Sequence, residues 1–227
     1  MACGMLFVVA TPIGNLGDIT LRALETLKAV DMIAAEDTRV TKKLLNRYEI
    51  RKPLTSLRAR SPRAAFEKVA VMVEEGKSVA YVTDAGTPGI SDPGNILVAL
   101  VRERCGEKSI VIIPGASALT AALSGAGIPV DRFSFLGFLP HKKGRQKMLN
   151  EAIAKGGALV LFESPHRIQK LFSELESRVP ERHAVIAREM TKIYESLVHG
   201  TVAGLNARLE SGDIPARGEF VVIIGSR

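Results

Sequence analysis

Four short stretches of this 227-residue chain carry residue types that can do chemistry. Thr11-Pro12-Ile13-Gly14-Asn15-Leu16-Gly17-Asp18 is a tight, glycine-containing turn, and Glu36-Asp37 sets two carboxylates side by side 19–20 residues after Gly17. Asp84 to Gly94 (DAGTPGISDPG) packs three glycines and two prolines into eleven residues, and Pro114-Gly115-Ala116-Ser117-Ala118 runs directly into a helical pattern. A glycine turn followed by an acidic residue about 20 positions on suggests a dinucleotide fingerprint. That fingerprint needs a glycine where Pro12 stands, and proline's missing N–H and locked φ suit a pyrophosphate cradle poorly. A strand-to-helix turn needs only roughly 2–6 residues, so the longer Asp84–Gly94 stretch reads as a fixed backbone brought close to something flat or bulky. No GxxxxGK[ST] or GxSxG string occurs, and His141, His166, His183 and His199 lie too far apart for a metal-ligand pattern. No metal is expected.

These stretches follow strand-like runs. MLFVVA (5–10), DMIAAE (31–36), SVAYVT (78–83) and SIVIIP (109–114) alternate with helical periods: Leu21, Leu24, Leu27, then Phe66, Val69, Ala70, Val73, then Ile96, Leu97, Leu100, Val101. Continuous apolar strands separated by helices predict a mostly parallel sheet covered on both faces. Ligands in such sheets sit at the carboxyl ends of the strands, where the four stretches lie. Past Pro114 the runs FSFLGFL (133–139), ALVLFES (158–164), AVIAREM (184–190) and GEFVVII (218–224) come with fewer helices, and SLVHGT (196–201) adds a candidate antiparallel strand. Ser164-Pro165 reads as the capped start of a helix burying Ile168, Leu171, Phe172 and Leu175. The predicted fold class is α/β in two lobes, 1–114 and 115–227, the first with a mostly parallel sheet and the second with a mixed one.

Apolar residues make up 46% of the chain and charged residues 24%, which is globular usage and excludes disorder and coiled coil. The net charge of +7 calls for an anionic partner. The excess is concentrated: from Arg39 to Lys68 ten basic residues face two acids, and His141-Lys142-Lys143-Gly144-Arg145-Gln146-Lys147 forms a second cluster. The first of these segments reads as loop-rich. Cys3 and Cys105 accompany no CxxC or Cys/His cluster and read as reduced thiols. The N-terminal apolar run is too short, and lacks the preceding positive charge, for a signal peptide. No window approaches the ~18 apolar residues of a membrane span. A cytoplasmic protein is expected.

The strings VATPIGNLGDIT (9–20), AAEDTRVTKKLL (34–45), VTDAGTPGISDPG (82–94), IPGASALTAALSGAG (113–127), FLGFLP (135–140), LFESPHRI (161–168) and AREMTKIYE (187–195) resemble the tetrapyrrole-methylase fold family. These are class III S-adenosyl-L-methionine (SAM) methyltransferases with two α/β lobes and the cofactor in the cleft between them. Within the family the strings resemble most the branch that methylates the ribose 2′-oxygen of a cytidine in the decoding region of 16S rRNA. Tetrapyrrole-modifying relatives usually carry Gly-Asp-Pro where this chain has Gly86-Thr87-Pro88, which argues against a porphyrinoid substrate. Relatives of the rRNA branch usually continue beyond the strand resembled by GEFVVIIG (218–225).

The resemblance implies SAM contacts from Pro12, Asp84, Gly86, Thr87, Ile90, Ser117 and Ala118, and from Phe162, Ala187 and Ala216 in the second lobe. It also implies 16S rRNA in the small ribosomal subunit as partner, a role in rRNA processing, a homodimer, and neither DNA nor membrane. Methyl transfer to a hydroxyl is mostly positioning, with a general base removing the proton. Glu36 and Asp37 are the candidate base or its orienting network, with Arg39 holding phosphate or orienting a carboxylate; Glu163 and Glu189 are the second-lobe alternatives. Asp37 equally suits a plain helix N-cap. The basic clusters then become the RNA-facing surface, with Lys42, Lys43, Arg58, Arg60, Arg63, Lys142, Lys143 and Arg145 neutralising phosphate. Phe133, Phe135, Phe138 and Tyr48 are available to stack on bases, although spacing assigns the first two to the core. Two other readings stay open: a methyltransferase of the same fold acting on a tetrapyrrole or a protein, and a non-catalytic RNA-binding module.

Overall fold

The computed structural model describes residues 2–226. It divides into two compact units, one ending at Ser117 and the other starting at Ala118.

In the first unit β1 (Leu6–Val9), β2 (Met32–Ala35), β3 (Leu54–Ser56), β4 (Val79–Val82) and β5 (Ile110–Ile113) form one sheet in the order β3-β2-β4-β1-β5. Every pairing is parallel. β1, β2 and β4 read as unbroken apolar runs because both faces are covered, whereas β5, at the sheet edge, is as apolar but leaves Ile112 56% exposed. Leu6, Val8, Ala34, Val79 and Tyr81 pack against Phe66, Val69 and Val73 of α3 (Arg63–Glu74) and Leu97 and Val101 of α4 (Gly94–Cys105). Val9, Ile33, Ala35, Ala80 and Val82 face the other way, toward Ala23 and Leu27 of α1 (Leu21–Ala29) and Leu45 of α2 (Thr38–Arg47).

Two elements here differ from expectation. The segment from Arg39 to Lys68 is not loop-rich: it holds α2, β3 and the first half of α3. α2 escapes a pattern search because its ten residues bury only Thr41, Leu44 and Leu45, and β3 is three residues long. Nor do all the helical periods mark core positions: Leu21 of α1 and Ile96 of α4 are exposed, while Leu27, Leu97, Leu100 and Val101 are buried. The two cysteines, far apart in sequence, meet: burial first, and the hydrogen bond with Cys3 second, push the Cys105 thiol up to about 11.

The second unit holds β6 (Phe133–Phe138), β7 (Ala158–Glu163), β8 (His183–Arg188), β9 (Ser196–Thr201) and β10 (Phe220–Ile224), in the order β6-β7-β10-β8-β9. Only the β6–β7 pair is parallel, so the sheet is mixed. One face packs on α6 (Arg145–Ala154), α7 (Ile168–Glu176) and α8 (Val202–Glu210) through Leu149, Phe172, Leu205 and neighbours. The other, with Val160, Val185, Ala187, Val221 and Ile223, packs on the short α5 (Ala118–Gly125) through Ala122. α7 does not begin at Ser164-Pro165. Those residues form a turn in which the Ser164 carbonyl accepts from the N–H groups of Arg167 and Ile168, and the helix proper starts at Ile168. Among the described residues no helix is long and apolar enough to cross a membrane.

Candidate functional site

The parallel sheet of the first unit brings the carboxyl ends of β1, β2, β4 and β5 to one edge, and the four chemistry-bearing stretches leave from that edge. They are laced to one another. Thr11 and Gly86 exchange main-chain hydrogen bonds at 2.9 and 3.0 Å, and the Thr11 hydroxyl donates to the Thr83 carbonyl at 3.2 Å. The Thr87 hydroxyl donates to the Ala116 carbonyl at 3.1 Å, tying the loop after β4 to the loop after β5. Gly86 sits at φ +85°, and a Cβ there would lie 3.3 Å from Ile13 and 3.7 Å from the Ala116 carbonyl. Only glycine combines that backbone with that proximity. Pro12, next to this bridge, is buried.

The loop after β4 owes its shape to Asp92, which sequence reasoning missed. Its carboxylate accepts from the N–H groups of Gly89 (2.6 Å), Ile90 (3.1 Å) and Gly94 (2.8 Å) and from the Tyr81 hydroxyl (3.3 Å). The signal was the Asp-Pro-Gly string, in which a short carboxylate bonds the main chain two residues on. Burial, and then the nearby Asp92 charge, hold the Tyr81 hydroxyl well above the usual tyrosine range, so it remains a donor. Ile90 is left 37% exposed, and a Cβ on Gly89 would meet nothing within 4 Å. An exposed aliphatic group beside exposed main-chain carbonyls is the kind of surface that takes an uncharged ring and an ammonium group.

At the end of β2, the Glu36 carboxylate accepts through Oε2 from the Thr83 hydroxyl (2.7 Å) and, weakly, from the Asp84 N–H (3.4 Å). Asp37 caps α2, its Oδ1 accepting from the Arg39 N–H at 2.9 Å, and both of its oxygens take the Arg39 guanidinium. Arg58 approaches the same carboxylate to 3.7 Å. The hydrogen bonds from Arg39 hold the Asp37 carboxyl far below the ordinary carboxylate range. So saturated an acceptor is a poor base; its geometry is that of an anchor for two arginines whose exposed side chains bracket the strand end. The Asp84 carboxylate accepts from the Asp37 N–H at 2.8 Å, and its pKa is raised, chiefly by partial burial and further by Glu36 and Asp37.

Lys42, Lys43, Arg58, Arg60 and Arg63 are exposed, although Arg63 also pairs with Glu67. Lys142 and Lys143 are exposed in the turn before α6. Arg145 is not part of that surface. It is 2% exposed, its Nε donates to Glu174 at 2.8 Å, and its Nη1 lies 3.4 Å from the buried Glu163. A guanidinium so enclosed has no phosphate within reach, so Arg145 is a structural cation. Glu163 also takes Arg167 at 2.7 Å and is thereby excluded as an exposed base. Glu189 is likewise committed: it accepts from Lys192 (2.9 Å) and from the Glu219 N–H (2.8 Å), and its carboxyl, raised by burial, is on balance lowered by those bonds.

In the second unit, Phe162 of β7, Val221 of β10 and Ala187 of β8 are register partners in one row on the α5 face of the sheet. Phe162 stacks edge-on with Phe135 (4.9 Å) and tilted with Phe138 (5.6 Å). Ala118 is the first residue of α5, and Ala216 is exposed between α8 and β10. Among the described residues no group of three or more His, Cys, Asp or Glu side chains is placed to hold a metal ion.

Residues 5–206 match the family described as Tetrapyrrole (Corrin/Porphyrin) Methylases. The chain belongs to this family. It is a methyltransferase by fold and by membership. A relative from Neisseria meningitidis serogroup B, named ribosomal RNA small subunit methyltransferase I, is 44% identical over 97% of this chain and 76% of its own length. A relative of the same name from Thermotoga maritima is 42% identical over 99% of both chains. Among solved structures, uroporphyrin-III-C-methyltransferase from Thermus thermophilus aligns with a TM-score of 0.65 at 20% identity, covering 98% of this chain and 94% of its own. A diphthine synthase aligns with a TM-score of 0.69 at 17% identity, over 98% and 90%. Those two likenesses show the fold alone.

Proposed function

We propose that this protein transfers the methyl group of SAM to the ribose 2′-oxygen of a cytidine in the decoding region of 16S rRNA, acting on the small ribosomal subunit. The observation that carries the reading is the 41–46% identity, over nearly the whole chain, to relatives named ribosomal RNA small subunit methyltransferase I. The exposed cations around the carboxyl end of β2 support it.

In this reading the residues that hold SAM are Pro12, Asp84, Gly86, Thr87, Ile90, Ser117, Ala118, Phe162, Ala187 and Ala216. SAM supplies a methyl group already activated on sulfur. The fit is physical: Asp84 offers a carboxylate for the amino group, the exposed Gly89–Ile90 backbone offers C=O groups, and Ile90 offers an apolar face. The absence of a phosphate in SAM removes any need for a glycine cradle, which makes Pro12 acceptable.

Glu36 is the proton acceptor of the pair, because the Thr83 hydroxyl and the Asp84 N–H both engage its Oε2, leaving Oε1 without a hydrogen-bond partner among the described residues. Asp37 acts through Arg39 and Arg58, holding the two guanidinium groups where a ribose phosphate enters. Lys42, Lys43, Arg60, Arg63, Lys142 and Lys143 extend the phosphate-binding surface. A homodimer and a cytoplasmic location belong to the same proposal.

The test offers labelled SAM together with small ribosomal subunits lacking the modification, and in parallel a polycarboxylated tetrapyrrole such as uroporphyrinogen. Label in RNA alone supports the reading. Label in the tetrapyrrole, or a thermal shift with SAM but no label in RNA, overturns the choice of substrate.

A further inference from the structure

β6 and β7 pair in parallel, but their register slips: Phe135 faces Val160, Gly137 faces Leu161, and Phe138 faces Phe162. In a regular strand Phe135 and Phe138 would point to opposite faces. The extra residue, Leu136, changes the parity, and both phenyl rings reach Phe162 on one face. Gly137 sits at φ +57°, in the left-handed region that favours glycine. Bulges in parallel pairs are rare, and where they occur they re-aim a side chain. Here the re-aimed side chain is not buried. Phe138 ends 54% exposed on an edge strand, whereas Leu139 beside it is fully enclosed.

The chain that follows is held at both ends. The Leu139 carbonyl accepts from Arg167 at 2.8 Å, and Arg145 is locked between Glu163 and Glu174. Glu163 also binds Arg167, so one buried carboxylate braces both ends of the segment. Between them Pro140 to Gly144 are exposed and carry Lys142 and Lys143, with no acidic residue from 139 to 150. An aromatic face and two ammonium groups therefore stand on one rigid segment.

We infer that Phe138 is a stacking platform for an unpaired base of the RNA, with Lys142 and Lys143 taking the adjoining phosphates. The inference rests on the RNA reading above and names the feature of the substrate that this segment selects. Unpaired bases stack on exposed aromatic rings while cations track the backbone, whereas a duplex keeps its bases stacked inside. An apolar protein partner would leave the lysines without a role.

The test is titration of a labelled single-stranded oligocytidylate of about 12 nucleotides, within the usual site size for such proteins. Phe138→Ala should weaken binding about 5- to 100-fold, and Phe138→Trp, which keeps a π-face, should restore it. The slope of log affinity against log salt should be unchanged in Phe138→Ala. In Lys142→Gln/Lys143→Gln it should fall in magnitude by about 1.4, at ~0.7 per phosphate on a single strand. SAM-induced thermal shift and light scattering are measured on each variant. Unweakened binding by Phe138→Ala overturns the inference, as does a loss accompanied by a lost SAM shift or a changed oligomeric state. If the unsubstituted protein binds neither this probe nor small subunits, the RNA reading itself fails.

Discussion

The main-chain N–H of Asp37 donates to the carboxylate of Asp84, 47 residues further along, over 2.8 Å. That bond joins the loop leaving β2 to the loop leaving β4, so the proposed proton-handling residues and the proposed cofactor loop move as one piece. Asp84→Ala should weaken SAM binding by about tenfold or more, since a charge-assisted contact is lost together with the tie between loops. Calorimetric titration of SAM checks this. Because the folded environment raises the Asp84 pKa, its carboxylate is protonated at higher pH than an exposed aspartate, and SAM affinity should fall as pH drops through that raised range.

Asp37 behaves oppositely. Its folded pKa lies below the ordinary 3.8, so the stability it contributes is fully present above that value and is lost as pH falls below it. Asp37→Asn retains a good N-cap but not the charge pairing with Arg39 and Arg58. The variant should therefore show a smaller drop in urea midpoint between neutral pH and about pH 3 than the unsubstituted protein. Turnover should fall more than about tenfold with SAM affinity kept, the signature of lost substrate positioning.

Asp92 gathers four donors, and among the described residues no other group accepts from the N–H groups of Gly89 and Ile90. Asp92→Ala should cost about 1–3 kcal/mol for the donors left unsatisfied. It should also weaken SAM binding, because Ile90 and Thr87 ride on the same loop. Chemical denaturation and SAM titration read the two effects separately.

Two glycines at similar φ provide a controlled pair. Gly218, at +88°, would place a Cβ 2.5 Å from the Glu189 side chain, while Gly106, at +78°, would place one in open space. Gly106→Ala should cost only the backbone term, on the order of 1 kcal/mol, and Gly218→Ala at least about 1–2 kcal/mol more through displacement of Glu189 from Lys192. Comparison of the two denaturation midpoints decides it.

How much of this was legible in the chain depends on what each residue touches. The unbroken apolar runs at 6–9, 32–35 and 79–82 announce parallel strands covered on both faces, while the equally apolar run at 110–113 forms an edge strand with Ile112 exposed, a difference the run itself does not show. The glycine and proline spacing of Asp84–Gly94 announces a shaped loop. Arg145 reads as a surface cation because it sits in a run of exposed ones, and only Glu163 and Glu174, 18 and 29 residues away, determine that it turns inward. The inertness of Asp37 as a base depends first on Arg39, whose guanidinium closes back on the carboxylate, and last on Arg58, placed 3.7 Å away after the short β3; no periodicity reveals either contact. Spacing assigns Phe133 and Phe135 to the core, yet Phe133 is 41% exposed, and the slipped register of β6, which no spacing shows, sets the direction of Phe138.

The most direct test of the central claim is the chemical identity of the methylated product. Small subunits labelled by the protein with methyl-labelled SAM are digested to nucleosides and resolved by mass and chromatography. The account predicts that the label elutes as 2′-O-methylcytidine, released from one position of the decoding region. Label in a base-methylated nucleoside, or in any nucleoside other than cytidine, contradicts it.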